Sequence, residues 1–262
     1  VVLAGREKFS LREKVALVCV EGPIIDSKET VEEIKNYAKD SSIKAIVLRV
    51  DSPGGAVAPS QEIYEEVKKA AASKKVVASM GAVAASGGYY VALPAAKILA
   101  NPGTLTGSIG VIMEVPNIEG LMDKVGIKTQ VIKSGRHKDM VSVFRKMGEE
   151  ERGILQSLLD DVHAQFIEAV SESRKMPIDD VRELADGRVF TGRQAKELGL
   201  VDGVGTLQDA IDLAARLAGI KGEPDVITKK EKFSIIDAIT GDISGKLPDL
   251  FPYIKLKYIL SL

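Results

Sequence analysis

Lys44-Ala45-Ile46-Val47-Leu48-Arg49-Val50-Asp51-Ser52-Pro53-Gly54-Gly55 is a short, apolar, β-branched run that empties into a turn carrying a glycine pair. Such a run reads as a buried strand. From Gln61 to Ala72 the spacing becomes helical, with Ile63, Val67 and Ala70 or Ala71 on one face. A second strand, Lys75 to Met80, leads into Val83-Ala84-Ala85-Ser86-Gly87-Gly88-Tyr89-Tyr90, again a turn with a glycine pair. Two consecutive strand–turn–helix units therefore carry glycines at the strand's C-terminal end. In open α/β sheets ligands bind along that edge. Backbone N–H groups from two such turns can converge on one oxygen atom, as an oxyanion hole requires. Two tight turns without chemistry would have the same sequence.

Ser86 is the residue that gives the second turn chemical interest. Gly87 and Gly88 clear side chains from around its hydroxyl and let the backbone approach a substrate. The segment from Tyr89 to Leu93 continues as a short apolar helix, and a serine at a helix N-terminus feels the positive end of the macrodipole.

Further along the chain the alternation persists. Lys14 to Val20 is expected as a strand, Thr30 to Ala38 as a helix and Lys97 to Ala100 as a strand. Asn101 to Gly110 is expected as a Gly/Thr/Ser loop, Gly110 to Met113 as extended, Asn117 to Val125 as helical and Lys128 to Ile132 as extended. This order predicts an α/β fold with a mainly parallel sheet and helical crossovers. Glu149 to Arg174 repeats Ile154, Leu155, Leu158, Leu159, Val162, Phe166 and Val170 at helical period. It predicts one long amphipathic helix, packed on its own sheet or reaching toward a neighbour. Short helices follow over Pro177–Ala185, Gly192–Leu198 with Thr191 as N-cap, and Leu207–Ala218. Three regions are expected: an N-terminal stub over 1–13, a catalytic domain over 14–222 and a C-terminal extension over 223–262. The tail's alternation, Tyr253 to Leu262, is strand-like and suits docking in a groove of its own or an adjacent subunit, in competition with substrate.

Composition excludes several classes. The 262 residues are 45% hydrophobic and 28% charged, with 36 Lys plus Arg against 37 Asp plus Glu. No basic stripe with interleaved aromatics suggests a nucleic-acid partner. Cys19 is the only cysteine, so an intrachain disulfide is impossible, and its apolar run predicts a packed core thiol. Two histidines and no HExxH make zinc hydrolysis hard to build. No cofactor is expected. No stretch of about 20 apolar residues crosses a bilayer, although Val1-Val2-Leu3-Ala4-Gly5 suits the stub of an upstream membrane anchor.

A nucleophilic serine needs a base, and Ile132-Lys133-Ser134-Gly135-Arg136-His137-Lys138-Asp139 offers three: Lys133, His137 and Lys138. Ser–Lys pairs serve on unrelated folds as Ser–His pairs do. The residues alone do not choose among them. For His137 no acid is evident to orient the ring.

The set Asp51–Gly55, Ala84–Tyr90, Thr104-Leu105-Thr106-Gly107-Ser108-Ile109-Gly110 and Lys133–Asp139 resembles the signal peptide peptidase A family. Asp186–Ala195 and Leu200-Val201-Asp202 extend the match, which runs from Lys14 to Gly219. The resemblance implies a Clp/crotonase-like fold and a Ser–Lys dyad. By motif position Ser86 is the nucleophile and Lys138 the general base. Ser108 orients the lysine, and Gly55 and Gly87 supply the oxyanion donors. It further implies cleavage of apolar peptides such as signal-peptide remnants through an acyl-enzyme. The implied setting is a ring-like homo-oligomer, as large as an octamer, on the extracytoplasmic side of the cell membrane. Val83, Val111, Ile112 and Met113 are expected to line the substrate path, with the peptide adding as a strand near Gly107–Met113. A lysine at its ordinary pKa of about 10.4 is charged at neutral pH, so the base must be desolvated. Asp139 would oppose that, and is therefore expected to point away from Lys138. The alternatives are acyl-CoA chemistry on a crotonase scaffold and a non-catalytic assembly protein.

Overall fold

A computed structural model describes residues 13–229 and 257–259. Eight strands form one sheet around β1 (Lys14–Glu21), β2 (Ile43–Ser52) and β4 (Lys75–Ala85), whose mutual pairings are parallel. Strand β9 (Asp225–Thr228) adds in parallel to the outer edge of β1. On the other side β4 divides its length between two neighbours. Its first half pairs with β5 (Lys97–Ala100), which continues to β8 (Gly203–Val204). Its second half pairs with β6 (Leu105–Gly107), against which β7 (Val189–Thr191) runs antiparallel. Between these lie the helices α1 (Lys28–Lys39), α2 (Val57–Ser73), α3 (Gly87–Ala92), α4 (Glu119–Lys124), α5 (Glu149–Arg174), α6 (Ile178–Leu184), α7 (Gly192–Glu197) and α8 (Leu207–Leu217). The mainly parallel α/β architecture is the one expected.

The division of β4 positions the candidate site. Val50 pairs with Met80 but Ser52 with Ala84, so β4 bulges at Gly81. A Cβ on Gly81 would sit 2.6 Å from the Asp51 carboxyl carbon, and Asp51 Oδ1 accepts the Val83 N–H at 3.1 Å. Carbonyls freed by the bulge find side-chain donors: Arg49 and Asn101 reach Met80 O at 3.1 Å each, and Thr104 reaches Gly81 O at 2.7 Å. A bulge bends the strand that carries it. Here it turns β4 from β5 to β6 and delivers Ser86 to the sheet edge.

One face of the sheet carries the main core, where Ile46, Leu48, Val50, Met80, Tyr89 and Phe166 are buried. The other is covered by α8 through Val15, Val47, Val77, Ile211 and Ala214. That cover stops at Leu17, and Cys19, two residues further along the same face, is exposed. The packed core thiol expected from its neighbours is corrected accordingly.

Three other expectations are corrected. The loop over Asn101–Gly110 contains β6. Gly110–Met113 has only an isolated bridge at Ile112, and Lys128–Ile132 forms no strand. A strand needs a partner edge, and among the described residues none lies alongside 113–147, where Ile132 is 95% exposed. The long helix keeps the expected bounds, Glu149–Arg174, but its halves differ. Val162, Phe166, Ile167 and Val170 are buried, while Ile154 and Leu158 are exposed. Most of the N-terminal stub and of the tail lies outside the described residues.

Candidate active site

Ser86 ends β4 and caps α3 with φ 53° and ψ −118°, a conformation that L-residues rarely hold. The surroundings force it. Ser86 N–H donates to Gly107 O at 2.7 Å, and Tyr90 N–H donates to Ser86 O at 2.8 Å. Every residue of α3 is buried, and the Tyr89 hydroxyl, inaccessible to solvent, donates to Leu200 O at 2.8 Å. Desolvation raises the Tyr89 phenol well above its usual range, so it stays a neutral donor. Asp202 holds the neighbouring turn through Ile98 N–H and Arg174, both at 2.9 Å. The Leu200-Val201-Asp202 motif is thus a brace for α3, the helix that Ser86 caps. Ser86 Oγ itself is buried and has no hydrogen-bond partner among the described residues.

Beside it the two glycine turns meet. The strand β3 (Gly54–Ala56) pairs antiparallel with β10 (Lys257–Ile259), with Tyr258 opposite Gly55. Gly54 has φ +97°, and a Cβ there would lie 2.0 Å from Tyr258 O and 2.6 Å from Gly87 N. A Cβ on Gly87 would lie 3.1 Å from the same carbonyl oxygen. Gly54, Gly87 and a peptide carbonyl therefore crowd one point, and only glycines fit. The Tyr258 ring is buried at 5.4 Å from the Tyr90 ring and 4.8 Å from Phe166, and its hydroxyl donates to Val162 O at 3.0 Å. Burial pushes the Tyr90 phenol up to about 12 and raises Tyr258 as well, so both are neutral at any ordinary pH.

Ser108, with φ 50° and nearly buried, follows β6 and donates its N–H to Arg188 O at 2.8 Å. It opens into a cavity of about 440 Å³ shared with Val111, Ile112, His163, Asp186 and Gly187. Val111 and Ile112 are thus placed together beside Ser108. Met113 lines a different cavity with Arg145 and Leu155, and Val83 is half-buried on β4 opposite Leu105.

Lys138 lies in another environment. It is exposed on the segment between α4 and α5, and its ammonium has no hydrogen bond or ion pair with a described residue. Since Ser86 Oγ has no partner, the chain does not bring these two groups into hydrogen-bond contact. Asp139 does point away, as expected: its carboxylate accepts from Arg145 Nε and Nη2 at 3.0 Å each, and from Lys133. Those hydrogen bonds, Arg145 first and Lys133 next, hold its carboxyl far below the usual range. Lys133 is thereby occupied. His137 does have an acid beside it, contrary to the sequence reading: Nε2 lies 3.5 Å from Glu150 Oε1, while Nδ1 is buried without a partner.

Sequence reasoning missed Gly54, the ring of Tyr64, Tyr90, Phe166 and Tyr258, and the role of Arg145. The Gly54-Gly55 pair and the Tyr89-Tyr90 pair were visible signals. Nothing local marked Tyr258 as the tail residue that enters the core. Among the described residues, no group of His, Cys, Asp or Glu is arranged to hold a metal ion. Nor is any helix among them long and apolar enough to cross a membrane.

Comparison with known proteins supplies the context for this geometry. The family model for peptidase family S49 matches residues 68–221. The chain is similar to a putative protease of Synechocystis sp., 44% identical over 238 residues, covering 89% of this chain and 85% of the relative. It is similar to Protease 4 of Salmonella typhi, 35% identical over 253 residues, covering 90% of this chain but 40% of the relative. A putative signal peptide peptidase SppA of Enterococcus faecium is 36% identical over 220 residues, covering 79% and 64% of the two chains.

Proposed function

The chain belongs to peptidase family S49, and from that premise we propose that it is a serine endopeptidase acting through Ser86 with Lys138 as general base. One observation carries the reading. A buried hydroxyl without a partner sits on a strained turn beside the point where Gly54, Gly87 and a peptide carbonyl meet. Acyl transfer needs backbone N–H groups aimed where negative charge develops, with a nucleophile alongside; in this reading Gly55 and Gly87 supply those donors and Ser86 the nucleophile. Ser86 Oγ attacks, the base takes its proton, the amine leaves and water hydrolyses the acyl-enzyme.

The base comes from a neighbouring copy. Support for this is the contrast between an orphaned Ser86 and an exposed Lys138 on a segment that also exposes Leu121, Val125, Ile127 and Ile132. Covering that segment with a second copy in a ring-like homo-oligomer would desolvate the amine. A shift of about 3 units, roughly 4 kcal/mol, makes a lysine a usable base near neutral pH. In this reading the Ser108 hydroxyl, which lines the cavity after β6, orients the incoming amine.

Substrates are extended apolar peptides, signal-peptide remnants among them, bound by strand addition on β3. The tail strand β10 already occupies that edge and competes with substrate. This reading rests on its antiparallel register and on the aromatic walls around Tyr258. Labelling with a fluorophosphonate probe tests the whole. Covalent modification at Ser86, lost in Lys138→Ala while the thermal melt is kept, is the expected result. No labelling of the parent, or full labelling of Lys138→Ala, contradicts it; retained labelling in Lys138→Ala together with loss in His137→Ala moves the base to His137.

A further inference from the structure

Lys138 and Asp139 are adjacent in sequence, and an acidic neighbour is the worst companion for a lysine that must shed its proton. A carboxylate within about 4–6 Å of an ammonium stabilises the charged form by 1–3 pKa units. The segment and the start of α5 spend three side chains on preventing that contact. Arg145 grips Asp139 three times, through Oδ1 and Oδ2 at 3.0 Å each and through its main-chain carbonyl at 2.9 Å. Lys133 donates to Oδ1 as well as to Arg136 O at 2.8 Å. The far side of the Arg145 guanidinium is held by Glu151, whose Oε2 accepts Nη1 at 2.8 Å and the Gly148 N–H at 2.9 Å at the start of α5. Both carboxylates are sheltered, with side chains 14% and 11% exposed.

If the cluster served only to pin the loop to α5, the Arg145–Glu151 pair would suffice. Instead two cations converge on the carboxylate next to Lys138 in the chain, and among the described residues Lys138 has no ion pair. Other charged groups of the segment and of α4 and α5 have partners of their own. Arg136 and His137 face Glu150, and Glu119 of α4 accepts the Lys146 N–H.

We propose that Arg145, backed by Glu151 and Lys133, is a positioning residue that keeps Asp139 turned away from the amine of Lys138 and so keeps that amine able to act as a base. The inference rests on the assignment of Lys138 as the base. In Arg145→Gln the freed carboxylate swings to its neighbour and holds the proton on. The acidic limb of the kcat/KM–pH profile then moves upward by about 1 pH unit or more. Adding Asp139→Asn to Arg145→Gln returns the limb to its original place.

The test is the pH dependence of kcat/KM for a fluorogenic apolar peptide with the assembled parent, Arg145→Gln, Asp139→Asn and the double variant. A limb that rises in Arg145→Gln and falls back in the double variant supports the inference. A limb that stays put while rates fall at every pH, or a rise that Asp139→Asn does not reverse, overturns it in favour of loop anchoring alone. Where Arg145→Gln melts far below the parent, Lys133→Gln removes one cation and leaves the Arg145–Glu151 pair. The same upward movement, smaller in size, is expected there, and an unmoved limb overturns the inference. Lys138→Ala, run alongside, separates the two readings: if it keeps its activity and its limb, the base assignment fails. If it is inactive while the Arg145 and Lys133 variants keep the parent's limb, only the positioning role fails.

Discussion

The Ser86 half and the Lys138 half of the candidate site are built from different forces. Around Ser86, the whole of α3 is buried, and the backbone is fixed by β6, by the bulge at Gly81 and by Tyr89 locked to Leu200. Around Lys138, residues 117–147 form one short helix and otherwise irregular backbone, held to α5 by Arg145, Asp139 and Glu151, with large apolar side chains facing outward. Core packing is dense and insensitive to solvent conditions. A charge cluster near the surface responds to salt and pH. Ser86 is thus held rigidly by packing, while Lys138 lies on a segment tied down by surface charge.

The largest effect that sharpens this contrast comes from filling the rigid half. In Gly54→Ala the new methyl would stand 2.0 Å from Tyr258 O and 2.6 Å from Gly87 N, at a φ of +97°. Peptide turnover should fall by about 100-fold or more, the scale of losing an oxyanion donor. Retained turnover would mean that the carbonyl does not sit where Gly54 and Gly87 meet.

Acid should act on the other half. The Asp139 and Glu151 carboxyls are depressed in the folded chain, Glu151 to about 2 by Arg145 and the Gly148 N–H. Groups with depressed folded pKa values contribute stability that is complete above their ordinary values, 3.8 and 4.5, and lost as pH falls through the folded ones. Between about pH 4.5 and 2 the 133–146 segment should therefore loosen first. Amide exchange corrected for intrinsic rates is expected to accelerate there while β4 and α3 stay protected. Simultaneous loss in both would remove the distinction.

The smallest effect belongs to the tail. Burying a tyrosine stabilises its docking by roughly 2–3 kcal/mol, and strand pairing adds to it. Ending the chain after Lys229 keeps β9 on β1 and removes β10, so the KM for an apolar peptide should fall several-fold while the melt drops by about 5 °C or more. An unchanged KM would show that β10 does not compete with substrate.

Much of the rigid half could be read from the residues. The two glycine turns, the strands before them, the Thr191 cap and both ends of the long helix follow from local periodicity and turn chemistry, which act over a few residues. What escaped depends on distant partners. Cys19 is exposed because α8 stops short of it. Lys128–Ile132 has a strand's composition and no edge to pair with, and Leu105–Gly107 forms a strand only because the β4 bulge presents an edge there. Tyr258 enters the core from over 160 residues beyond Tyr90, and no periodicity reports that.

Subunit complementation tests the central claim most directly. Ser86→Ala and Lys138→Ala chains, each inactive alone, are unfolded together and reassembled as a mixture. If the base crosses from one copy to the next, sites pairing an intact Ser86 with an intact Lys138 form in the mixed assembly and peptide hydrolysis returns. A mixture that co-assembles and stays as inactive as its components would contradict a dyad shared between copies.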